Sequence, residues 1–459
     1  MHSNKQQTAS WERLSAPPPP TLKDSDLPQL RHIILNGLED EAVLRLFNIA
    51  ETISMQAAET LFGKSLLTNL LEAGLLGEDN GEIFSYFHIQ THKGLAFLSD
   101  YSLPQGTPHD LVLPVGPSGR YLESITIRKK VDSALDLGCG CGLQTLLLAA
   151  HSTLVTATDI NKRCLSLTAL NARLNDIHNI ELLEGSYFEP VRGRKFDLIV
   201  SNTPYVITPG KDKIYRDAKG SGDEAVMNVI QQTPEYLNEG GYAHILATWL
   251  HKKRQAPEEP IQATVKPLAV DALFIYEKSF SPIQYASDWI YDDIPRGTPA
   301  FYWTWLQWVL WYRRMGMERF AFGSLTLRKR TNIANWFRLE IAQHIAGESA
   351  GDHIHQLVLA SDLNLSQLDF WDAKLLPSHL DIKKDEQGEV RRIKMKDCLV
   401  LPLKVSSSVG DVIGHLDGKK TLRQAWEKAS SGQTAVPEKE ADVLQVISIL
   451  IKNGYLSIL

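Results

Sequence analysis

The 459-residue chain lacks the patterns that mark disulfide-rich, zinc-binding and membrane-spanning proteins. It has only four cysteines, and no two of them form a Cys-x-x-Cys pair or have zinc-ligand spacing. No window approaches the roughly 18 consecutive apolar residues that cross a bilayer, and the opening residues MHSNKQQ contain no apolar signal core. These absences predict a soluble, cytoplasmic protein with reduced thiols, no metal site and no membrane partner.

An excess of positive charge is also missing, because 48 Lys and Arg face 54 Asp and Glu, for a net charge of −6. Proteins that coat nucleic acid nonspecifically need many cationic side chains to displace counterions. The balance makes RNA or DNA a less favoured partner, although a local basic patch stays compatible with it.

The chain has the length and the apolar content of a globular protein with several domains. We predict a disordered lead (1–23), a helical, winged-helix-like N-terminal domain (24–104), a central domain (105–335), a connecting segment (336–380) and a small winged-helix-like C-terminal domain (381–459). The N-terminal pattern of three amphipathic helices and a hairpin fits either a DNA-binding winged helix or a helical cap over the central domain.

The central domain alternates short apolar strands with helical segments, which indicates a parallel sheet joined by crossover helices. The fold class predicted is therefore α/β, with a Rossmann-like, doubly wound, mostly parallel sheet flanked by the two small terminal domains. The strands are expected at residues 133–137, 153–158, 180–183, 196–201, 242–248, 270–276 and 324–329.

An aromatic-rich segment occupies residues 301–312, FYWTWLQWVLWY. Phe301, Trp305, Trp308 and Tyr312 fall at helical spacing, so the segment is predicted to be a helix that packs in a core. An aromatic platform on which bases stack is the alternative.

The segment LDLGCGCG ends a predicted strand at Asp136 and then places Gly138, Gly140 and Gly142 at alternate positions. Glycine allows a sharp turn and a close approach of the backbone to a ligand. A phosphate-binding dinucleotide site would have the spacing G-x-G-x-x-G instead. The turn therefore suits a ligand with an amino-acid end, whose ammonium group Asp136 binds directly or through water.

A second carboxylate, Asp159, ends the next predicted strand in the segment VTATDIN. It lies about twenty residues after the glycines, where a carboxylate can accept hydrogen bonds from both hydroxyls of a ribose. A helix N-cap is the alternative role for this residue. Its position relative to the glycine turn favours ribose binding.

A third motif, SNTPY, follows the strand at residues 196–201. The side-chain oxygen of Asn202 can accept a hydrogen bond from an NH₂ group, Pro204 stiffens the turn, and Tyr205 can stack on a planar group. Together they would hold a planar nitrogen with its lone pair free to react.

With these three motifs, residues from about 111 to 330 resemble the class I S-adenosylmethionine-dependent methyltransferases of the small-domain, Asn-Pro-Pro-Tyr type. That type includes release-factor glutamine and adenine N6-methyltransferases, and the chain is most similar to a poorly characterised bacterial group with an N-terminal winged-helix-like domain. The resemblance implies S-adenosylmethionine as cofactor and catalytic roles for Asn202, Pro204 and Tyr205. It implies cofactor contacts from Asp136, Gly138, Gly140, Gly142, Asp159, Ile160, Ser186 and Asn202.

Two positions depart from the family pattern. Thr203 stands where the second motif residue is normally proline, and Ser186 stands where many relatives have an acid that contacts the adenine amine. Just beyond the motif, Tyr215, Arg216 and Asp217 are expected to touch substrate, with a solvated Arg–Asp pair as the alternative.

The C-terminal region resembles the winged-helix domains that bind leader peptides, and a dimerisation or packing domain is the alternative. The function expected is methylation of an amide or amine nitrogen on a macromolecule, either a protein or peptide or a nucleic acid, by an enzyme that could form a homodimer. The alternatives are a small-molecule methyltransferase of secondary metabolism and a non-catalytic, cofactor-sensing DNA-binding regulator. The regulator is disfavoured because a sensor has no need of Asn202 and Tyr205.

Overall fold

The structure is a computed structural model, and the described residues fall in two compact units. The first comprises residues 1–123 and 129–337, and the second comprises residues 124–128 and 338–459. The model describes residues 18–37, 39–101, 110–204, 206–210, 223–291, 294–331, 334–341, 350–365, 369–378, 380–384, 390–395, 403–431 and 440–459. The domain boundaries expected from the sequence stay predictions.

The strands of the first unit, in chain order, are β1 (Ile53–Ser54), β2 (Leu76–Asp79), β3 (Glu82–Ser85), β4 (His88–His92), β5 (Leu95–Ser99), β6 (Val131–Leu137), β7 (Ser152–Asp159), β8 (Ile180–Glu184), β9 (Phe196–Ser201), β10 (Leu237–His251), β11 (Val270–Phe280) and β12 (Arg319–Lys329). Its helices are α1 (Leu27–Asn36), α2 (Glu41–Val43), α3 (Met55–Phe62), α4 (Lys64–Glu72), α5 (Pro117–Ile125, which enters the second unit at its end), α6 (Leu143–Ala149), α7 (Lys162–Leu174), α8 (Glu224–Tyr236), α9 (Glu259–Val265), α10 (Pro282–Tyr291) and α11 (Pro299–Arg314). A π-helical turn spans Leu44–Asn48 and a 3₁₀ turn spans Glu189–Val191.

The large sheet of this unit runs β8-β7-β6-β9-β10-β12-β11. Strands β6 to β10 are parallel to one another, whereas β12 is antiparallel to both β10 and β11. Helices α6, α7 and α8 supply crossovers between parallel strands, as this topology requires. The predicted α/β class with a doubly wound, mostly parallel sheet is confirmed, and each predicted strand lies within or coincides with an observed one.

The N-terminal elements share a hydrophobic core with helix α7 of the large sheet. Asn171 of α7 and Asn175, which follows the end of α7, accept hydrogen bonds from Leu98 N and Ala96 N of strand β5, at 2.8 and 2.9 Å. Side-chain amides thus satisfy backbone donors that an edge strand would leave without partners. Strand β1 comes before helices α3 and α4, and β2 and β3 follow them, in a small antiparallel sheet of order β1-β3-β2. The winged-helix assignment of this region stays a prediction.

Strand β11 contains a bulge at Glu277. Tyr276 pairs with Gly323 and Lys278 pairs with Phe322, so Glu277 is an extra residue without a partner on β12. A Cβ atom on Gly323 would lie 2.2 Å from the carbonyl oxygen of Ile275, which excludes any side chain at this position. A bulge of this kind turns a side chain away from the direction that the regular strand would give it.

The aromatic segment forms helix α11, as the sequence predicts. Phe301, Trp308 and Tyr312 are buried in a cluster with Tyr285 and Phe320. The ring centroids of Tyr285 and Phe320 are 4.1 Å apart in a stacked pair. Within the described residues, no helix is long and apolar enough to cross a membrane.

The second unit has its own apolar core, drawn from helices and short strands. Its helix Leu422–Ser430 carries a capping box, in which the Thr421 side chain accepts from Gln424 N and the Gln424 side chain accepts from Thr421 N. The described elements are β13 (Phe337–Ile341, which begins at the last residue of the first unit), α12 (Gly351–Ser361), β14 (Leu375–Pro377), β15 (Leu380–Lys384), β16 (Val390–Met395), β17 (Leu403–Ser406), α13 (Ser407–His415), α14 (Leu422–Ser430), α15 (Glu440–Lys452) and β18 (Leu456–Ile458).

Candidate functional site

A cavity of about 980 Å³ lies at the carboxyl edge of the parallel strands, in the first unit. This edge is where doubly wound sheets bind their ligands. The turns that follow β6, β7, β8 and β9 line one side, and the ends of β10, β11 and β12 line the other. The three sequence motifs therefore meet at one place.

The glycine turn leaves β6 with a left-handed backbone, since Gly138, Gly140 and Gly142 have φ values of 87°, 57° and 86°. Gly138 and Gly140 line the cavity, and a Cβ on either would meet no atom within 4 Å. Gly142 has a different role, because its Cβ would lie 2.9 Å from Thr168 Cγ2. It begins helix α6 and lets that helix pack closely on α7.

Asp159 lies at the end of β7 and lines the cavity together with Ile160, which is 44% exposed. The Oδ2 atom of Asp159 accepts a hydrogen bond from Gly140 N at 3.0 Å, and Oδ1 accepts one from Asn161 N at 2.9 Å. Burial raises the pKa of this carboxyl group. Because each carboxylate oxygen has more than one acceptor position, Asp159 can hold the glycine turn and still bind ligand hydroxyls.

Asp136, which the sequence predicts to bind an ammonium group directly or through water, lies on strand β6. It is buried, and it is not among the described residues that line the cavity. Its Oδ2 atom accepts a hydrogen bond from Thr145 Oγ1 at 2.6 Å, which joins β6 to helix α6. Burial raises the pKa of Asp136 to about 7, because the charged form is poorly solvated there.

Replacing Asp136 with asparagine is expected to stabilise the ligand-free protein increasingly as pH rises. Because the pKa is raised in the folded protein, ionisation of Asp136 lowers the free energy of unfolding. This loss of stability is absent below the unfolded pKa of 3.8 and is complete above about pH 7. At 1.36 kcal/mol per pKa unit, the cost reaches about 4 kcal/mol. Urea unfolding at pH 5 and pH 8 measures it, with the exposed Asp132→Asn on the same strand as control. A difference between Asp136→Asn and the native chain that does not change with pH contradicts this account.

The motif after β9 presents two buried polar atoms to the cavity. The Oδ1 atom of Asn202 and the Oγ1 atom of Thr203 are buried and have no hydrogen-bond partner among the described residues. Asn202 Nδ2 donates to Ser118 Oγ of helix α5 at 3.3 Å, which orients Oδ1. Pro204 also lines the cavity. A buried acceptor without a donor is costly, so this site is built for a ligand with an N–H or O–H group.

Ser186 lines the cavity after β8, beside Gly185 and Tyr187. A Cβ on Gly185 would lie 2.4 Å from Pro190 Cγ, and Tyr187 has a φ of 46°, which is rare for a residue with a side chain. Tyr205, Tyr215, Arg216 and Asp217 lie outside the described residues.

The cavity is also lined by Tyr121, Glu277, Tyr285 and Trp289, none of which the sequence motifs predict. Glu277 had one signal, namely a carboxylate directly after the apolar strand at residues 270–276. The others had none, because they come from segments distant in sequence that only the folded chain brings together.

The residues present fit S-adenosylmethionine on the observations above. The turn at Gly138 and Gly140 has no side chains to block a close approach, and Asp159 can accept from hydroxyl groups. The apolar side chains of Ile160 and Leu113 line the same cavity and can cover a planar base.

Residues 120–265 match the family model described as the methyltransferase small domain. The release factor glutamine methyltransferase of Aliivibrio fischeri is 29% identical over 244 residues, which cover 48% of this chain and 78% of that protein. A putative protein N5-glutamine methyltransferase of Methanocaldococcus jannaschii is 33% identical over 133 residues, covering 28% of this chain and 66% of that protein. With the release factor glutamine methyltransferase of Francisella tularensis, the match spans 62% of the relative's length at 29% identity.

Among solved structures, an rRNA methylase from Streptococcus thermophilus is 15% identical, with a TM-score of 0.27, and the match covers 47% of this chain and 97% of that one.

Proposed function

We propose that this chain, which carries a class I S-adenosylmethionine-dependent methyltransferase domain, methylates a side-chain amide nitrogen of a protein. The observation that carries the proposal is the buried, unpartnered Oδ1 atom of Asn202, in the cavity that the glycine turn and Asp159 also line. An amide NH₂ group donates the hydrogen bond that this atom lacks.

The cofactor, S-adenosylmethionine, supplies an activated methyl group on a sulfonium. We propose that Asp159 binds the ribose hydroxyls of the cofactor and that the backbone at Gly138 and Gly140 lies close to the cofactor. Ile160 and Ser186 surround its base. Gly142 and Asp136 support this arrangement from behind the cavity wall, since they fix helix α6 against its neighbours. Contact of Asp136 with the ammonium group through water stays a prediction.

The protein contributes alignment and exclusion of water. Asn202 Oδ1 accepts a hydrogen bond from an N–H group of the substrate, so the lone pair of that nitrogen can point toward the methyl donor. Ser118 holds the Asn202 amide in the required orientation. Pro204 limits the movement of the turn. Stacking of Tyr205 on the substrate amide is part of the proposal as a prediction from the sequence.

A protein substrate is supported by the three relatives, whose names describe glutamine methylation, two of them on a release factor. The net charge of −6 also disfavours a polyanionic substrate. The assignment of glutamine as the methylated residue rests on those relatives and on the fit of an amide to Asn202. A homodimer stays a prediction.

The test is transfer of labelled methyl from S-adenosylmethionine to a purified bacterial release factor and to cell extract. Label in the release factor, and label in extract that protease but not nuclease removes, is the expected result. Label that nuclease removes would assign the activity to nucleic acid, and label that survives both treatments would assign it to a small molecule. Absence of transfer in every sample would overturn the proposal.

A further inference from the structure

The bulge in strand β11 gives the cavity a second acceptor group, opposite the cofactor turns. Glu277 is the bulged residue, and its side chain lines the cavity. Its Oε1 atom is buried, and no residue in the part of the chain that the structure describes forms a hydrogen bond with it. Such an atom is stable only if a ligand donates to it or if the carboxyl group is protonated.

Neighbouring residues hold this carboxylate in place. The Tyr121 hydroxyl from helix α5 donates to Glu277 and lies 3.1 Å from Ser324 Oγ on strand β12. On β12, Gly323 permits the close approach at the bulge, as described above. Three elements therefore fix the position of one carboxylate, which is more than a solvated surface glutamate needs.

Burial raises the pKa of Glu277 more than the charge of the neighbouring Lys278, which also lines the cavity, lowers it. The Lys278 ammonium lies 4.9 Å from the centroid of the Phe280 ring, a cation–π arrangement. Burial raises the pKa of Glu277, which agrees with a carboxylate that is incompletely compensated by its surroundings. A ligand with a strong hydrogen-bond donor would supply the compensation.

The order of strands places this group on the substrate side. Asp159 follows β7 and Asn202 follows β9, whereas Glu277 belongs to β11, beyond β10 and β12. Strand β11 is antiparallel to β12, which is antiparallel to β10, so Glu277 lies toward the same edge as Asn202. Asn202 thus stands between the cofactor motifs and Glu277 in strand order.

We propose that Glu277 binds an N–H donor group of the methyl-acceptor substrate and, with Asn202, determines which substrates are accepted. This inference rests on the proposed function, because it assigns a second substrate contact in the same cavity. Glu277 thus selects substrates that carry an N–H donor, in either an amide or an ammonium group.

The first experiment compares Glu277→Gln with the native chain in methyl transfer to purified release factor. We expect KM for the acceptor to rise at least about tenfold, as for loss of a hydrogen bond to a charged group, with a smaller change in kcat. Affinity for S-adenosylmethionine, measured by calorimetry, should stay the same, which also shows that the variant folds. Glu318→Gln, at a carboxylate outside the cavity that pairs with Lys252, is the matched control. An unchanged KM overturns the inference.

The second experiment needs no transfer and therefore separates this inference from the proposed function. Binding of acetamide and of methylammonium is measured by saturation-transfer NMR in the presence of S-adenosylhomocysteine. We expect a saturable signal from one or both probes with the native chain and a several-fold weaker one with Glu277→Gln. Acetamide binding identifies an amide donor, and methylammonium binding identifies an ammonium donor. Equal signals from the two proteins, or none from either, contradict the assignment even if methyl transfer is observed.

Discussion

Replacing Asn202 with alanine is expected to lower methyl transfer by about 10²–10³-fold while S-adenosylmethionine still binds. Loss of one preorganised hydrogen-bonding group at a reacting centre typically has an effect of this size. The structure gives the reason, because Asn202 Oδ1 is buried and unpartnered and can accept from the reacting nitrogen. The measurement is kcat for labelled-methyl transfer, together with calorimetry of cofactor binding.

A series of variants distinguishes the role of Asn202 from a loss of folding. Ser118→Ala removes the partner of Asn202 Nδ2, so it should lower kcat by less than the alanine variant does. Asn238→Ala is the matched control, because Asn238 binds Asp197 Oδ1 at 2.7 Å at the start of strand β10, away from the cavity. Full activity of Asn202→Ala would remove this residue from the transfer site.

Replacing Asp159 with alanine is expected to weaken S-adenosylmethionine binding by about 100-fold. Hydrogen bonds to a charged acceptor contribute about 1.5–3 kcal/mol each, and about 3 kcal/mol in total corresponds to that factor. The same substitution removes the hydrogen bond from Gly140 N, which loosens the glycine turn. Both consequences act in the same direction.

Asp159→Asn separates these two consequences, since an amide retains one acceptor oxygen and nearly the same shape. Its affinity should fall between those of the alanine variant and the native chain. Glu184→Ala is the control, because Glu184 is the neighbour of Asp159 on strand β8 and is half exposed beside Lys162. Calorimetric affinity for the cofactor that Asp159→Ala leaves unchanged would disprove the ribose assignment.

The sequence was sufficient to predict the motifs and to bring them to one edge of the sheet. Gly138, Asp159 and Asn202 each follow a short apolar strand, and parallel strands present their carboxyl ends at the same edge. The sequence also predicts the helix at residues 299–314, because its buried aromatic residues recur at helical spacing. These predictions depend on local patterns, which a single stretch of chain carries by itself.

The burial of side chains and the directions in which they point are harder to predict from the sequence. The sequence predicts contact of Asp136 with an ammonium group, directly or through water, but it does not predict that Asp136 is buried and accepts a hydrogen bond from Thr145. Glu277 follows the predicted strand at residues 270–276, and that pattern does not indicate the direction of its side chain. Its direction depends on the bulge opposite Gly323, a residue 46 positions later, and therefore on the pairing register of two strands.

The amino-acid sequence by itself determined the α/β class and the glycine turn, and it predicts the residues at the transfer site, because each depends on patterns within one strand–turn segment. Only the tertiary structure decided which polar groups remain without partners inside the cavity. Whether a polar group has a hydrogen-bond partner depends on how the whole molecule packs. Ser118 of helix α5 accepts from Asn202 Nδ2, and Tyr121 of the same helix lies against Ser324 of strand β12, but no described residue donates to Asn202 Oδ1 or Glu277 Oε1. Long-range packing, and no local motif, sets that arrangement.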